Sequence, residues 1–145
     1  MIKTAMLMMM FMVATSAYGQ DVDRYEDVRM LGDCSGCIFD GADFSERKLA
    51  GINLEESRLN AVDFHAAQLN IAIFNESVLR DVNFASANLR GASFTGSTLI
   101  DVSFEGADLR GAVFEGVVLE NTNFQSALLC NTQMPDDSMD NSDCN

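Results

Sequence analysis

The sequence predicts an all-β chain wound as a four-sided parallel β-helix of about four to five coils, and three features point that way. From Phe39 to Leu129 every fifth residue is Leu or Phe. Two residues before most of these stands a small or β-branched residue, such as Ala42, Val62 and Ala67. Two residues after many of them stands Gly, Asn or Asp, as at Gly91, Asp101 and Asn121. A fixed short period over such a length is the mark of a repeat solenoid.

A period of five matches neither the 3.6 of a helix nor the 2.0 of a strand. It fits a short extended segment followed by a tight turn. The large residue and the one two places before it then point inward. The residue two places after it sits in the turn, where Gly, Asn and Asp accept positive φ at least cost, as a type II turn requires. A second period of twenty sets the number of sides. Phe64, Phe84 and Phe104 form one column, Leu69, Leu89 and Leu109 a second, and Phe74, Phe94 and Phe114 a third. The smaller inward residues sort in the same way, as Ser57, Ser77, Ser97 and as Ala67, Ala87, Ala107. Like stacks on like every four repeats, so one coil has four sides. Phe then faces Phe across the coil and Leu faces Leu, a volume balance suited to a narrow packed core.

Before the repeats, residues 1–19 read as a secretory signal peptide. Lys3 gives a positive start, an apolar run follows, and Ala17-Tyr18-Gly19 forms a small-x-small cleavage site. The apolar run is too short to cross a bilayer, so no membrane anchor is expected. Residues 20–33 lack the five-residue period and are expected to form a helical cap, with Asp21 as N-cap and Val22, Tyr25 and Leu31 on one side. A solenoid needs such a lid, because its first coil exposes apolar side chains and unpaired backbone. The β-helix is expected over 34–134, and residues 135–145 form a tail.

Cys34-Ser35-Gly36-Cys37 opens the repeats. A thioredoxin-like redox role requires a helix after the first cysteine, and a β-solenoid offers none. Zinc requires further ligands, and His65 is the chain's one histidine. In an exported protein a structural disulfide is the default. Four cysteines allow three pairings. Roughly five coils at about 4.8 Å each part the two ends by about 24 Å, whereas bonded cysteines have Cα atoms within about 7 Å. Cys34 therefore pairs with Cys37, and Cys130 with Cys144. The second bond closes a loop worth about 3 kcal/mol in the chain-entropy treatment. Pro135-Asp136-Asp137-Ser138 reads as a turn inside that loop.

Ala87-Asn88-Leu89-Arg90-Gly91 and Ala107-Asp108-Leu109-Arg110-Gly111 resemble the consensus of the pentapeptide-repeat proteins. The resemblance covers about nineteen consecutive repeats and implies a right-handed quadrilateral β-helix. Cys-x-Gly-Cys before the repeats and a final cysteine are similar to an exported bacterial subgroup, from which Asp137 departs where Gly is usual. The resemblance leaves function open, because its motif residues are the ones that build the coil.

With the signal removed, eight basic residues oppose 22 acidic ones, a net charge of −14. Such acidity argues against non-specific binding to nucleic acid or anionic lipid. No catalytic, metal or cofactor constellation emerges, and His65 points outward with no nucleophile in register. The surface feature that stands out is a modest apolar strip, Val78, Thr98 and Val118 with Ile100, suited to a protein partner or a homodimer. Arg47 breaks the small-inward rule, which predicts that Ser45–Lys48 bulges outward or that its guanidinium sits at the solenoid mouth. The expected function is a non-enzymatic scaffold or interaction module in the periplasm or outside the cell. The resemblance supplies an alternative, since some family members bind DNA gyrase by mimicking DNA. Export and the interrupting Arg80, Arg90 and Arg110 oppose it, and a chain start at Met30 would revive it. A thiol oxidoreductase using Cys34 and Cys37 is the third and least favoured reading.

Overall fold

The computed structural model describes residues 32–145. The signal peptide and nearly all of the helical cap fall outside these residues. Five three-residue strands stack in chain order into one parallel sheet: β1 (Ile38–Asp40), β2 (Arg58–Asn60), β3 (Val78–Arg80), β4 (Thr98–Ile100) and β5 (Val118–Glu120). Every pairing is offset by twenty residues, as in Leu59 with Leu79 and Leu79 with Leu99. The other three sides keep the same offset through single bridges, such as Asp63 with Asn83, Gln68 with Asn88 and Ile73 with Ser93. About four turns thus separate β1 from β5. The chain is a four-sided parallel β-solenoid, and no helix occurs among the described residues.

The core follows the predicted columns. Phe64, Phe74, Phe84, Phe94 and Phe114 are fully buried. Phe84 lies nearly parallel to Phe64 and Phe104, at 5.2 and 5.4 Å, and meets Phe74 and Phe94 edge-on at 5.5 and 5.9 Å. Offset-stacked and edge-to-face pairs each add about 0.5–1.5 kcal/mol beyond area burial, so the aromatic ladder is a main source of stability.

Positive φ recurs at every corner from Gly41 to Asn121, in Gly and non-Gly residues alike. The tight turns, however, close directly at no more than three corners of each coil. Where they close, the N–H two residues before a large residue donates to the preceding large residue's carbonyl, as Ala67 does to Phe64 (3.0 Å) and Ala72 to Leu69 (3.0 Å), while the Ser57 N–H turns to the Ser77 hydroxyl instead. After β2 to β5 no such bond forms among the described residues. That corner follows the one side extended enough to count as a strand, and the straighter entry opens the turn.

Arg47 corrects the expected bulge. Gln68 N–H donates to the Arg47 carbonyl (2.8 Å), and Lys48 bridges Gln68 in register. The backbone holds its place, and Arg47 is exposed at a position that is buried elsewhere. The inter-coil hydrogen bond at this position uses the Arg47 backbone carbonyl, so the long charged side chain can leave without moving the ladder.

Both expected cysteine pairs form. Cys34 and Cys37 are bonded with Cα atoms 5.4 Å apart, and Cys130 and Cys144 with Cα atoms 4.8 Å apart. The tail adds a two-stranded antiparallel ribbon of β6 (Thr132–Gln133) and β7 (Met139–Asp140). Its turn lies one residue earlier than expected, closed by Asp137 N–H to the Met134 carbonyl (3.0 Å). Asp137 takes φ 65°. It therefore adopts the backbone form that glycine would supply at that place.

Candidate functional site

Inside the coil there is no room for chemistry. Inward residues fill it, and among the described residues every buried side-chain polar atom has a hydrogen-bond partner. The buried serines explain part of this. Ser77 Oγ donates to the Leu54 carbonyl (2.7 Å) and accepts the Ser57 N–H (3.0 Å). Ser57 Oγ does the same one coil up, between the Cys34 carbonyl and the Cys37 N–H (both 3.1 Å). Each hydroxyl spans the two ends of the turn above it, so a buried polar atom is fully used.

The cysteine pair expected as a structural disulfide sits in that frame. Cys34 and Cys37 are both buried and joined, with a turn between them and no helix following. His65 is exposed, and its N–H donates to Asp63 Oδ1 (2.8 Å). Among the described residues no group of His, Cys, Asp and Glu is placed to hold a metal ion. No helix of the described chain is long and apolar enough to cross a membrane.

The outer faces carry what remains. Val78, Thr98 and Val118 stand in register on β3, β4 and β5. Val78 and Val118 are 39% and 59% exposed, while Thr98 is half-buried. Ile100 is buried at 8% exposure and lies in register between Arg80 and Glu120. It thus presents little surface beside the strip. Ile38, 58% exposed on β1, extends the column beyond Arg58. Its place just before Phe39 in the repeat was the sequence signal for it.

On another side Arg110 grips Asp108 through two nitrogens, Nε at 2.8 Å and Nη2 at 2.6 Å, and Arg90 stands 3.9 Å away. The hydrogen bonds from Arg110 hold the Asp108 carboxyl below its usual range against a modest desolvation cost. Two guanidinium groups thus meet one carboxylate, Arg110 within its own coil and Arg90 from the coil above, with Arg90 the more exposed of the two.

At the C-terminal end an open groove of about 550 Å³ lies under the last coil, floored by Phe124, Leu129 and Met134 and rimmed by Asp140 and Asp143. Sequence reading missed it, because it arises from how far the tail reaches across that end.

Comparison with known proteins agrees with this architecture. The chain is similar to HetL, a pentapeptide repeat protein involved in heterocyst differentiation regulation from the cyanobacterium Nostoc sp. strain PCC 7120. Identity is 30% and the TM-score 0.71, over 74% of this chain and 51% of HetL, so the chain spans about half of HetL's length. It is also similar to a pentapeptide repeat protein of the Arabidopsis thaliana thylakoid lumen, at 28% identity and a TM-score of 0.66, over 71% of this chain and 72% of that one. No curated protein matches the chain. The family model for pentapeptide repeats, with eight copies, matches residues 37–75, 67–99, 77–116 and 99–134. With unbroken coverage of the coil and the twenty-residue register behind it, the chain belongs to the pentapeptide-repeat family.

Proposed function

We propose that this protein is an exported, non-enzymatic binding scaffold that presents its flat β1–β5 face to a protein partner. The observation that carries the reading is the filled interior. Phe and Leu columns occupy the whole coil, so recognition falls to the outer faces and ends. On the strand-bearing face, Ile38, Val78 and Val118 are the exposed apolar residues, and Arg58 and Arg80 stand among them as polar neighbours. A flat sheet face with apolar residues set among charges is the composition expected of a non-obligate interface.

Two disulfides support a compartment outside the cytoplasm, as does the signal peptide read from residues 1–19. The lumenal relative is in keeping with that placement. In a bacterium the compartment is the periplasm or the medium. Self-association through the same strip is the form this reading takes if the partner is a second copy. DNA mimicry toward gyrase rests on the acidic charge alone, and Arg58 and Arg80 break the negative potential on the largest regular face.

The test is capture from a periplasmic extract with the oxidised protein, alongside Val78→Lys and Val118→Lys. A partner retained by the wild type and lost with both variants supports the reading, provided both variants keep their melting temperature. A partner bound equally by all three would place recognition elsewhere. Turnover of any substrate by the purified protein would end the scaffold reading.

A further inference from the structure

The inner coils send two N–H groups per side down to the coil below, as Phe84 does to the Ser103 carbonyl and Ser86 to the Glu105 carbonyl, both at 2.8 Å, and the ladder first lapses at Phe104 and Gly116, whose N–H groups have no acceptor among the described residues. The last coil has no successor, and its four sides meet that problem differently. On the third side the tail imitates a coil with side chains. Leu129 N–H donates to Asp143 Oδ2 (2.9 Å) and Asn131 N–H to Asn141 Oδ1 (2.9 Å), while Asp143 N–H returns a bond to the Leu129 carbonyl (2.8 Å). On the fourth side Met134 N–H donates to the Ser138 carbonyl (2.8 Å).

The first and second sides receive nothing comparable. The N–H groups of Leu119, Asn121, Phe124 and Ser126 stand at the equivalent positions and have no acceptor among the described residues. β5 is accordingly an unpaired edge of the sheet. Beside these donors lies the groove floored by Phe124, Leu129 and Met134. Its charged lining is Asp140 and Asp143, with no Lys or Arg among the lining residues. Hydrogen bonds from Ser142 keep the Asp140 carboxyl below its usual range, so it stays ionised at neutral pH.

We infer that this end of the rod takes up an extended segment of another protein as the missing half-coil, in which backbone carbonyls meet the four free N–H groups, apolar side chains enter the groove, and Lys or Arg faces Asp140 and Asp143. Strand addition at an open sheet edge gives affinity through main-chain bonds and selectivity through side-chain pockets. Here the pocket is apolar and the rim anionic, which selects a basic amphipathic strand over an acidic one. Because a half-coil spans two sides, the matching segment is about ten residues long and repeats its apolar residue every five. The inference rests on the binding-module reading above but uses the end of the rod, away from the Val78–Val118 strip.

The probe is the capped peptide Ala-Lys-Leu-Lys-Gly-Ala-Lys-Phe-Lys-Gly, with a second peptide carrying Glu in place of every Lys. Amide hydrogen exchange on the oxidised full-length mature protein is the readout. At saturating Lys peptide the amides of Leu119, Asn121, Phe124 and Ser126 should exchange at least tenfold more slowly, with interior amides such as Phe84 unchanged. Asp140→Asn should weaken the Lys peptide several-fold, and the Glu peptide should give no protection. Absence of protection at those four amides, or equal protection by the Glu peptide, overturns the inference. So does protection that rises with protein concentration alone, since the occupant would then be a second copy. Failure here with capture still sensitive to Val78→Lys removes the end site and leaves the scaffold reading standing. Loss of the Val78 effect with the peptide still bound does the reverse.

Discussion

Replacing Ser77 with Ala removes one oxygen from the middle of the rod and tests whether the buried serine column is structural. Ala is the ordinary inward residue of this repeat, and Ala67 and Ala87 occupy equivalent places on the opposite side. On volume alone Ser77→Ala should be neutral or mildly favourable. The structure argues otherwise. Ser77 is 1% exposed, its Oγ accepts the Ser57 N–H at 3.0 Å, and it donates to the Leu54 carbonyl at 2.7 Å. The Ser57 N–H makes no direct bond to Leu54 across the turn. In Ala67 and Ala87 that bond is direct, at 3.0 Å to Phe64 and to Phe84. Loss of the hydroxyl therefore strands a buried donor, at a cost of about 1–3 kcal/mol. For a domain of this size that is a fall in Tm of roughly 4–12 °C. Urea denaturation of the oxidised protein followed by circular dichroism gives the free energy directly, with Ser77→Thr as a variant that keeps the oxygen. A loss below about 0.5 kcal/mol for Ser77→Ala would refute the reasoning, for it would mean the turn closes on its own once the hydroxyl is gone.

Two further outcomes follow from local geometry. Ile71 is a β-branched corner residue at φ 55° and is 63% exposed, a backbone form that costs such residues about 1–2 kcal/mol. Ile71→Gly should therefore raise stability by up to about 1 kcal/mol after the entropy cost of glycine, and a lower urea midpoint would show that its packing over Gly51 and Gly91 outweighs the strain. Asp108 titrates below its ordinary value of 3.8 because Arg110 hydrogen-bonds the ionised form. A depressed folded-state pKa adds stability that is complete above the unfolded value and disappears as pH falls through the folded one. Wild type should thus exceed Asp108→Asn in Tm at pH 6, by a small margin because the pair is partly solvated, and the two should converge below pH 3. A constant gap between them down to pH 2 would exclude the clasp as the cause.

The coil was legible in the sequence because its determinants repeat. Leu59, Leu79 and Leu99 fall in one register, and a slip of one residue would turn every one of them to water. The turn chemistry was legible in kind, since the corner residues do take positive φ even where they are Glu56, Ala66 or Ile71. What stayed hidden depends on atoms and not on residue classes. The open corner after each strand, the hydroxyl bridges of Ser57 and Ser77, and the burial of Ile100 between Arg80 and Glu120 all arise from neighbours one coil away. Thr122 shows the same limit. Its Oγ1 accepts the Val102 N–H at 3.1 Å, while the repeat itself lapses at Ser126, which lacks the left-handed backbone. The apolar strip was predicted from outward positions alone, and Ile38 was overlooked because it precedes the run of matching columns. The end groove had no signal in the sequence, because Asp143 and Asn141 look like ordinary tail residues until their oxygens are seen replacing a coil.

The twenty-residue register makes this molecule a ruler with fixed graduations. Gain or loss of a whole turn during evolution would leave each Phe over a Phe and lengthen or shorten the rod by one strand spacing, about 4.8 Å. Gain of a single five-residue unit would instead rotate everything downstream by a quarter turn, setting Leu beneath Phe on two sides and Phe beneath Leu on the other two. Lineages descended from this chain should therefore differ in height by complete rungs, with the distance between their two sulfur-bonded ends changing in equal steps.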